Sequence, residues 1–219
     1  MITTYGVLWD MDGVLVDTGE LHFQSWVETL LPYGFNFSHE FHVATFGMNN
    51  ASILTLVFGS KPEEGLLTEI ADKKEDFFRK AIKGQAQPMP GVRNWLEQLK
   101  SWGFHQAVAS SAPIANVIAV IEELKLDPYF DAMVSASNMP GKPDPAVFLE
   151  TAQRIQVIPS HCVVIEDAIA GVAAAKKAGM KCIAVLTTNP PSVLSEADVI
   201  TDRLDLLPVD TVRQILKSC

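Results

Sequence analysis

Cysteine is scarce in this chain, and its spacing excludes both a disulfide framework and a cysteine-based metal site. Only three cysteines occur among the 219 residues, and no two of them form a Cys-x-x-Cys pair. An odd number cannot be fully paired within one chain. Cys162 and Cys182 fall in apolar, strand-like runs, where a cysteine serves as a small hydrophobic side chain. We therefore expect these two thiols to pack in the core.

The chain also lacks long apolar runs and an excess of positive charge. No run approaches the roughly 18 apolar residues of a membrane helix, and no secretory signal pattern is evident, so we expect a cytoplasmic protein without membrane contact. The 17 Lys and Arg residues against 26 Asp and Glu residues give a formal net charge of −9. A nucleic-acid interface needs a basic face, so nucleic acid is not an expected partner. No leucine-rich seam points to an obligate dimer, and we expect a monomer.

What is present is an alternation of strand-like and helix-like segments, which predicts an α/β fold with a doubly wound parallel sheet. The strand-like runs are residues 5–9, 105–110, 132–135, 162–165 and 182–186. Between the first two runs, apolar residues recur mostly at helical spacings and no clear strand is visible. We predict an α/β core formed by residues 1–17 and 89–219, with residues 18–88 inserted as an all-helical domain.

Two aspartates, Asp10 and Asp12, follow the first strand-like run. In open parallel sheets, ligands bind at the carboxyl ends of the strands. Side chains two residues apart share a face of a strand, so these carboxylates would repel each other unless a cation or a shared proton held them together. Taken alone, the segment is equally compatible with a polar turn that contains an Asp cap.

Three further segments place polar residues where strands are expected to end: Ser110-Ser111, Lys142 in Gly141-Lys142-Pro143-Asp144, and Glu166-Asp167. Four carboxylates and one lysine at a single sheet edge leave three negative charges uncompensated. A buried cluster of this kind should either protonate or bind a cation. Oxygen ligands without histidine or cysteine select a hard cation, and Mg²⁺ is the cofactor that we expect.

Such a pocket suits a phosphoryl group. The lysine and the metal would neutralise its oxygens, and Ser110 with nearby backbone N–H groups would hydrogen-bond them. An ionised carboxylate could attack phosphorus and form an aspartyl-phosphate. A second carboxyl group could protonate the leaving oxygen and later deprotonate the attacking water.

Four segments of the chain, in order, match motifs of a known superfamily. They are Asp10-Met11-Asp12-Gly13-Val14, Val108-Ala109-Ser110-Ser111, Gly141-Lys142-Pro143-Asp144-Pro145 and Val164-Ile165-Glu166-Asp167-Ala168. The chain resembles the haloacid dehalogenase (HAD) superfamily over nearly its whole length, and within it the phosphatase and β-phosphoglucomutase branch with a helical cap. The resemblance implies an HAD-like Rossmannoid catalytic core, with residues 18–88 as a cap whose closure excludes bulk water.

The resemblance also implies roles for single residues. Asp10 would be the nucleophile and a metal ligand, and Asp12 the general acid and base with its backbone carbonyl on the metal. Lys142 would be catalytic and would bind the phosphoryl oxygens together with Ser110. Asp167 would ligate the metal, and Glu166 would hold it directly or through water. The other predicted substrate-binding or phosphate-binding residues are Ser111, Thr18, His22, Asn49, Asn50 and Lys74.

The predicted cap contains a departure from the mutase pattern. The segment Phe46–Asn50 corresponds to a substrate-reading loop, where β-phosphoglucomutases typically carry Gly-x-Ser-Arg with the arginine on a second phosphate. This chain has Asn49-Asn50 there, and a neutral amide is a poor replacement for a bidentate clamp. The difference favours a phosphatase whose substrate carries hydroxyl groups near the cap.

Several charged or polar residues of the predicted helices have more than one explanation. His22 is either close to the substrate or a partly exposed helix residue, and Lys74 is the cap lysine best placed to reach the active site. For His39 and His42 we expect a solvated helix face. Asp17, with Glu20 three residues later, predicts a capping box at the start of a helix.

We therefore predict a Mg²⁺-dependent hydrolase of a small phosphomonoester, a sugar or polyol phosphate, acting through an aspartyl-phosphate. The alternative is β-phosphoglucomutase-type phosphoryl transfer between positions of a sugar phosphate. A non-enzymatic phosphate-binding protein is the third candidate. It is disfavoured because such a protein would have no reason to keep Asp10 and Asp12 together with Lys142 and Asp167.

Overall fold

The computed structural model describes residues 4–45 and 48–217. The chain divides into two compact units, the first formed by residues 1–17 and 87–219 and the second by residues 18–86. The α-helices of the described residues are α1 (Gly19–Leu30), α2 (His39–Thr45), α3 (Asn50–Phe58), α4 (Glu64–Ala81), α5 (Val92–Ser101), α6 (Ile114–Leu124), α7 (Ala146–Arg154), α8 (Ile169–Lys177) and α9 (Thr211–Lys217).

The first unit is built on a six-stranded parallel sheet. Its strands are β1 (Gly6–Trp9), β2 (His105–Ser110), β3 (Ala132–Ser135), β4 (Cys162–Glu166), β5 (Lys181–Val185) and β6 (Val199–Thr201). They lie in the order β3-β2-β1-β4-β5-β6, and every neighbouring pair is parallel. The connections run outward in opposite directions from β1. In sheets of this order, ligands bind at the carboxyl end of the strands next to this switch point.

Helices cover both faces of the sheet, which is why its central strands are continuous apolar runs. On one face, α7 and α8 pack against Leu8, Ala107 and Val164. On the other face, the fully buried Gln106 side chain accepts a hydrogen bond from the Trp9 indole and donates one to a backbone carbonyl of α5. Cys162 and Cys182 are buried in the sheet. The predicted doubly wound parallel sheet is confirmed.

The second unit contains α1 to α4 and, among its described residues, no strand. α1 packs along α4, and the apolar side chains between the helices form a core of Trp26, Leu30, Phe37, Ile53, Leu54 and Ile70. The predicted helical insertion therefore has a hydrophobic core of its own. None of the helices in the described part of the chain combines the length and apolarity that a membrane crossing requires.

Two local predictions about the second unit are wrong. The helix expected to be capped by Asp17 begins at Gly19, so that Thr18 occupies the N-cap position. His42 was expected on a solvated face, but its side chain is buried beside the rings of Phe23 and Phe37. The two errors differ in cause: a capping-box pattern does not fix the start of a helix to the residue, and the sequence of a short helix does not show which of its faces is covered.

Candidate active site

Three buried carboxylates meet at the carboxyl edge of the sheet. Asp10 directly follows β1, Glu166 ends β4, and Asp167 is the next residue. Because Trp9 is level with Ile165 in the parallel register, Asp10 and Glu166 leave neighbouring strands at the same height. One carboxylate oxygen from each of the three residues lies within 4.8 Å of the other two. One ion could therefore contact all three side chains.

Lys142 is the cation of this cluster. Its ammonium nitrogen lies 2.5 Å from Asp10 Oδ1 and 2.6 Å from Glu166 Oε1, and it sits 4.9 Å from the centre of the Phe148 ring. The prediction that Lys142 marks a strand end is wrong, since β3 ends at Ser135 and α7 begins only at Ala146. The long loop between them carries the lysine back to the carboxyl edge of β1 and β4.

Glu166 is held from both sides. Its Oε1 accepts a hydrogen bond from Lys142, and its Oε2 accepts the backbone N–H groups of Asp167 and Ala168, each at 2.8 Å. These N–H groups precede α8, where the helix dipole also favours a negative charge. A methyl group at Gly171 would overlap the Glu166 carboxylate. The glycine in the first turn of α8 thus makes room for the acid.

Asp167 is fixed by a loop that the sequence analysis did not single out. The Thr188 hydroxyl donates a hydrogen bond to Asp167 Oδ2, and the Asn189 amide donates one to the Asp167 carbonyl at 3.0 Å. Both residues follow β5, so polar residues after a strand at this same edge were the signal available in the sequence. Gly13, with a φ of 83°, also lies against this carboxylate, and a methyl group there would overlap it.

The electrostatics of the cluster show a shortage of positive charge. Burial raises the pKa of Asp10 well above its ordinary value, and the charges of Glu166 and Asp167 add to this effect, while Lys142 opposes it. Burial, followed by the charge of Glu166, raises the pKa of Asp167 to about 7. Burial alone would lower the pKa of the Lys142 ammonium, but Asp10 and Glu166 raise it above the ordinary lysine value. One lysine therefore does not neutralise the cluster.

The donor set fits a hard divalent cation. The residues that converge within the described part of the chain offer carboxylate oxygens only, and hard cations prefer oxygen ligands. Asp12 is half-buried, and its charge contributes to the raised pKa of Asp167, so the acidic surroundings extend to the second aspartate of the first motif. A bound divalent ion would supply the positive charge that Lys142 alone does not.

Ser110 provides a hydroxyl at the end of the neighbouring strand β2. Its side chain is almost completely buried, and its oxygen accepts the backbone N–H of Ala112 at 3.1 Å. That bond uses a lone pair and leaves the hydroxyl proton to be donated to an anion. Ser135 donates to the Ala112 carbonyl at 2.6 Å and so ties this loop to β3. Ser111 is exposed on the same loop.

The second unit brings several of its predicted residues into one network. The Lys74 ammonium lies 2.9 Å from His22 Nδ1 and 3.0 Å from Glu75 Oε1, and the Asn50 amide donates to the same Glu75 oxygen at 2.8 Å. The His22 ring stacks on Phe78 with the ring centres 4.1 Å apart. The sequence analysis missed Glu75, because an acid within a run of charged helix residues has no signature of burial.

Two further predicted residues, Asn49 and Thr18, lie at the N-cap positions of helices. Asn49 is exposed, and its side-chain oxygen caps α3 by accepting the Ser52 N–H at 2.9 Å. Thr18 is buried at the N-cap position of α1. Of the predicted substrate-reading loop, Phe46 and Gly47 lie outside the described residues. The substrate-binding roles of these residues therefore remain predictions.

Comparison with known proteins assigns the family. A model of the family described as haloacid dehalogenase-like hydrolase matches residues 7–185, which include all four motifs. The chain belongs to this family. The solved structure of beta-phosphoglucomutase from Clostridium difficile has the same fold, with a TM-score of 0.87 at 24% identity over 99% of this chain and 98% of that one.

Two curated relatives of this HAD-family chain are enzymes of phosphoryl transfer. The "Phosphorylated carbohydrates phosphatase" of Thermotoga maritima is 30% identical over 215 residues, which cover 97% of this chain and 98% of that protein. The "Beta-phosphoglucomutase" of Bacillus subtilis is 31% identical over 192 residues, which cover 84% of each. The predicted family and enzyme class, an HAD-type phosphatase with β-phosphoglucomutase-like relatives, are confirmed.

Proposed function

We propose that this HAD-family phosphatase is a Mg²⁺-dependent hydrolase of a small phosphomonoester, a sugar or polyol phosphate, and that it acts through an aspartyl-phosphate on Asp10. The observation that carries the proposal is the convergence of Asp10, Glu166 and Asp167 around Lys142 at the carboxyl edge of the sheet. A buried group of like charges with one lysine favours a cation and, next to it, an anionic substrate.

In the first half of the reaction, Asp10 is the nucleophile. An oxygen of its carboxylate forms a bond to phosphorus while the bond from phosphorus to the substrate alcohol breaks. Asp12 donates its proton to the departing alcohol oxygen. Lys142 and the Ser110 hydroxyl hold the phosphoryl oxygens and offset the charge that builds up on them in the transition state.

In the second half of the reaction, water hydrolyses the aspartyl-phosphate. Asp12 removes a proton from water, the water oxygen attacks phosphorus, and the bond between phosphorus and Asp10 breaks. Phosphate leaves, Asp10 is a free carboxylate again, and Asp12 is again protonated. The net reaction is phosphomonoester plus water to alcohol plus phosphate.

Asp10 and Asp167 would hold the Mg²⁺ ion, together with the Asp12 backbone carbonyl and with Glu166 directly or through water. When bound, the ion would supply positive charge for the phosphoryl oxygens and would keep the neighbouring carboxylates ionised. Glu166 has both oxygens in hydrogen bonds to Lys142 and to backbone N–H groups, which supports contact through water as much as direct contact.

The relatives and the second unit both support the proposed substrate class. The Thermotoga maritima relative is named for phosphorylated carbohydrates. Asn49 and Asn50 stand where an arginine would clamp a second phosphate in mutases, and Asn50 is hydrogen-bonded to Glu75. An amide next to an acid suits hydroxyl groups better than a second phosphate group.

The test is phosphate release from a panel of sugar, polyol and nucleoside phosphates. We expect release that depends on Mg²⁺ and is greatest with sugar or polyol phosphates. Asp10→Asn should fold as the wild type does, as judged by circular dichroism, and should release no phosphate. Full activity in the Asp10→Asn variant would contradict the mechanism.

The alternative, a phosphomutase, is favoured by the 31% identical relative from Bacillus subtilis. Incubation with β-glucose 1-phosphate and a bisphosphate primer separates the two activities. Stoichiometric free phosphate supports the hydrolase. Isomer formation without free phosphate would select the mutase.

A further inference from the structure

We propose that the loop after β5 is the positioning element of the metal site, with the Thr188 hydroxyl and the Asn189 amide fixing Asp167 as a ligand. The inference rests on the proposed Mg²⁺-dependent function and adds to it two residues that touch neither substrate nor metal. It concerns the orientation of one carboxylate, which the sheet alone does not determine.

Three hydrogen bonds hold Asp167, two through its backbone and one through its carboxylate. Its N–H donates to Glu166 Oε2 at 2.8 Å, its carbonyl accepts the Asn189 amide at 3.0 Å, and its Oδ2 accepts the Thr188 hydroxyl. Torsions that end in a carboxylate are intrinsically broad, so an aspartate without these partners would sample several orientations. The bond from Thr188 occupies one carboxylate oxygen and leaves the other for a ligand.

The first motif lies against the same carboxylate oxygen. A Cβ atom built at Gly13 would overlap Asp167 Oδ2 and would lie 3.2 Å from the Thr188 hydroxyl oxygen. Gly13 and Thr188 therefore both lie against Asp167 Oδ2, although they belong to loops after different strands. The carboxylate has no room to turn towards either of them.

The chemistry of the bond also suits a metal ligand. A hydroxyl that donates a hydrogen bond to a carboxylate favours the ionised form of that carboxylate, and the ionised form is the one that binds a metal ion. Partners that orient a ligand in this way generally contribute about 10-fold to 100-fold to metal affinity. We expect an effect of this size from the single hydroxyl of Thr188.

The experiment replaces Thr188 with valine, which keeps the shape and removes the hydroxyl. We measure Mg²⁺ binding to the full chain by calorimetry without substrate, and the Mg²⁺ concentration for half-maximal phosphate release. Thr188→Val should raise the dissociation constant for Mg²⁺ about 10-fold to 100-fold. At saturating Mg²⁺, the fold-loss in kcat of Thr188→Val relative to the wild type should be smaller than its fold-loss in Mg²⁺ affinity.

Two variants serve as controls. Thr187 precedes Thr188 on the same loop and is likewise exposed. Thr187→Val should bind Mg²⁺ as the wild type does. Thr188→Ser restores a hydroxyl and should recover most of the affinity, which a purely steric role of the threonine would not predict. Circular dichroism in metal-free buffer shows whether each variant folds. If Thr188→Val does not fold, Thr188→Ala, which removes the hydroxyl and the bulk together, is tested in its place.

The outcomes separate the two proposals. Unchanged Mg²⁺ binding in Thr188→Val, beside a wild type that binds Mg²⁺, would overturn the positioning role and leave the proposed function intact. A wild type that neither binds Mg²⁺ nor releases phosphate from the panel would overturn both. An equal loss of affinity in Thr187→Val and Thr188→Val would overturn the role of the Thr188 hydroxyl by showing that the loop responds to any change.

Discussion

The Glu166 carboxylate has partners for both of its oxygens before any ligand is considered. Lys142 donates to one oxygen, and two backbone N–H groups at the start of α8 donate to the other. Gly171 lies against the same carboxylate, and a side chain there would overlap it. The orientation of this acid therefore depends on one glycine in the next helix, and this dependence can be tested.

We predict that Gly171→Ala lowers phosphate release by about 100-fold, because moving Glu166 would displace Lys142, and a misplacement of about 1 Å in a site can cost that much. Helix propensity alone would favour alanine in α8 by about 1 kcal/mol. Overlap with Glu166 should reverse this sign and destabilise the protein by about 1–3 kcal/mol. Phosphate release and urea denaturation measure the two effects.

Gly65 is the matched control, since it lies in α4 and a Cβ atom there meets nothing within 4 Å. Gly65→Ala should keep full activity and gain up to about 1 kcal/mol of stability. A Gly171→Ala protein that behaved in the same way would show that Glu166 has room to move.

The role of a residue can be predicted from the sequence when its residue type already implies a particular chemistry. Asp10 and Asp167 could be singled out because acids that follow buried strands are costly without a purpose. Lys142 could be singled out by its motif, although it lies in a loop and not at a strand end. Thr188 could not, because a threonine after a strand is ordinary and its partner is known only once the sheet order is known. Burial of Glu75 beside Lys74 was hidden for a similar reason, since both lie in a charged stretch of α4.

At the scale of helices and strands, the apolar runs predicted β1 to β5 to within about one residue at each end. The edge strand β6, Val199–Thr201, was missed because it has only three residues, all half-buried. Periodicity also failed for α2, a helix of seven residues. Such a helix has too few turns for its spacing to show which side is covered, so the burial of His42 could not be read from the sequence.

The burial of His42 leads to a pH prediction for α2. Burial is the largest influence on the pKa of His42 and lowers it below the ordinary value of 6.5. The folded protein therefore binds fewer protons here than the unfolded chain does, so this contribution to stability is present above about pH 6.5 and is lost as the pH falls through the folded pKa. His42→Leu should remove that part of the acid destabilisation, measured as melting temperature between pH 7.5 and pH 5.

His39 supplies the comparison, since it is exposed on the same helix. His39→Leu should remove less of the acid destabilisation than His42→Leu does, because burial is the largest influence on the pKa of His42. Equal pH dependence in His42→Leu and in the wild type would show that the buried ring is not the group that titrates.

On the scale of the whole chain, a net charge of −9 opposes the binding of a phosphorylated substrate, so the proposed function needs positive charge at the site itself. The acidic residues at the sheet edge outnumber Lys142, and in the proposed mechanism they would attract a cation that would in turn attract the substrate. The alternation of strands and helices was enough to predict the fold, because it recurs over more than a hundred residues. It carried no information on which side chains meet within the helical unit.

The metal site should therefore govern how stability responds to pH. Without metal, the pKa of Asp167 is about 7 in the folded protein, above its ordinary value, so the folded protein binds more protons than the unfolded chain between about pH 4 and pH 7. This group's contribution to stability is full at the acid end and is lost as the pH rises through 7. Mg²⁺ requires the ionised carboxylate and stabilises only the folded protein.

We predict that Mg²⁺ raises the melting temperature more at pH 7.5 than at pH 5, because at pH 5 the ion must displace a proton from Asp167. His42 changes stability in the opposite direction with pH, so the quantity to compare is the difference between melting curves with and without Mg²⁺ at each pH. Asp167→Asn should lose most of the Mg²⁺ effect at both pH values. If Mg²⁺ raised the melting temperature of the wild type equally at pH 5 and pH 7.5, the ion would have to bind without competing with that proton, and Asp167 would not be its ligand.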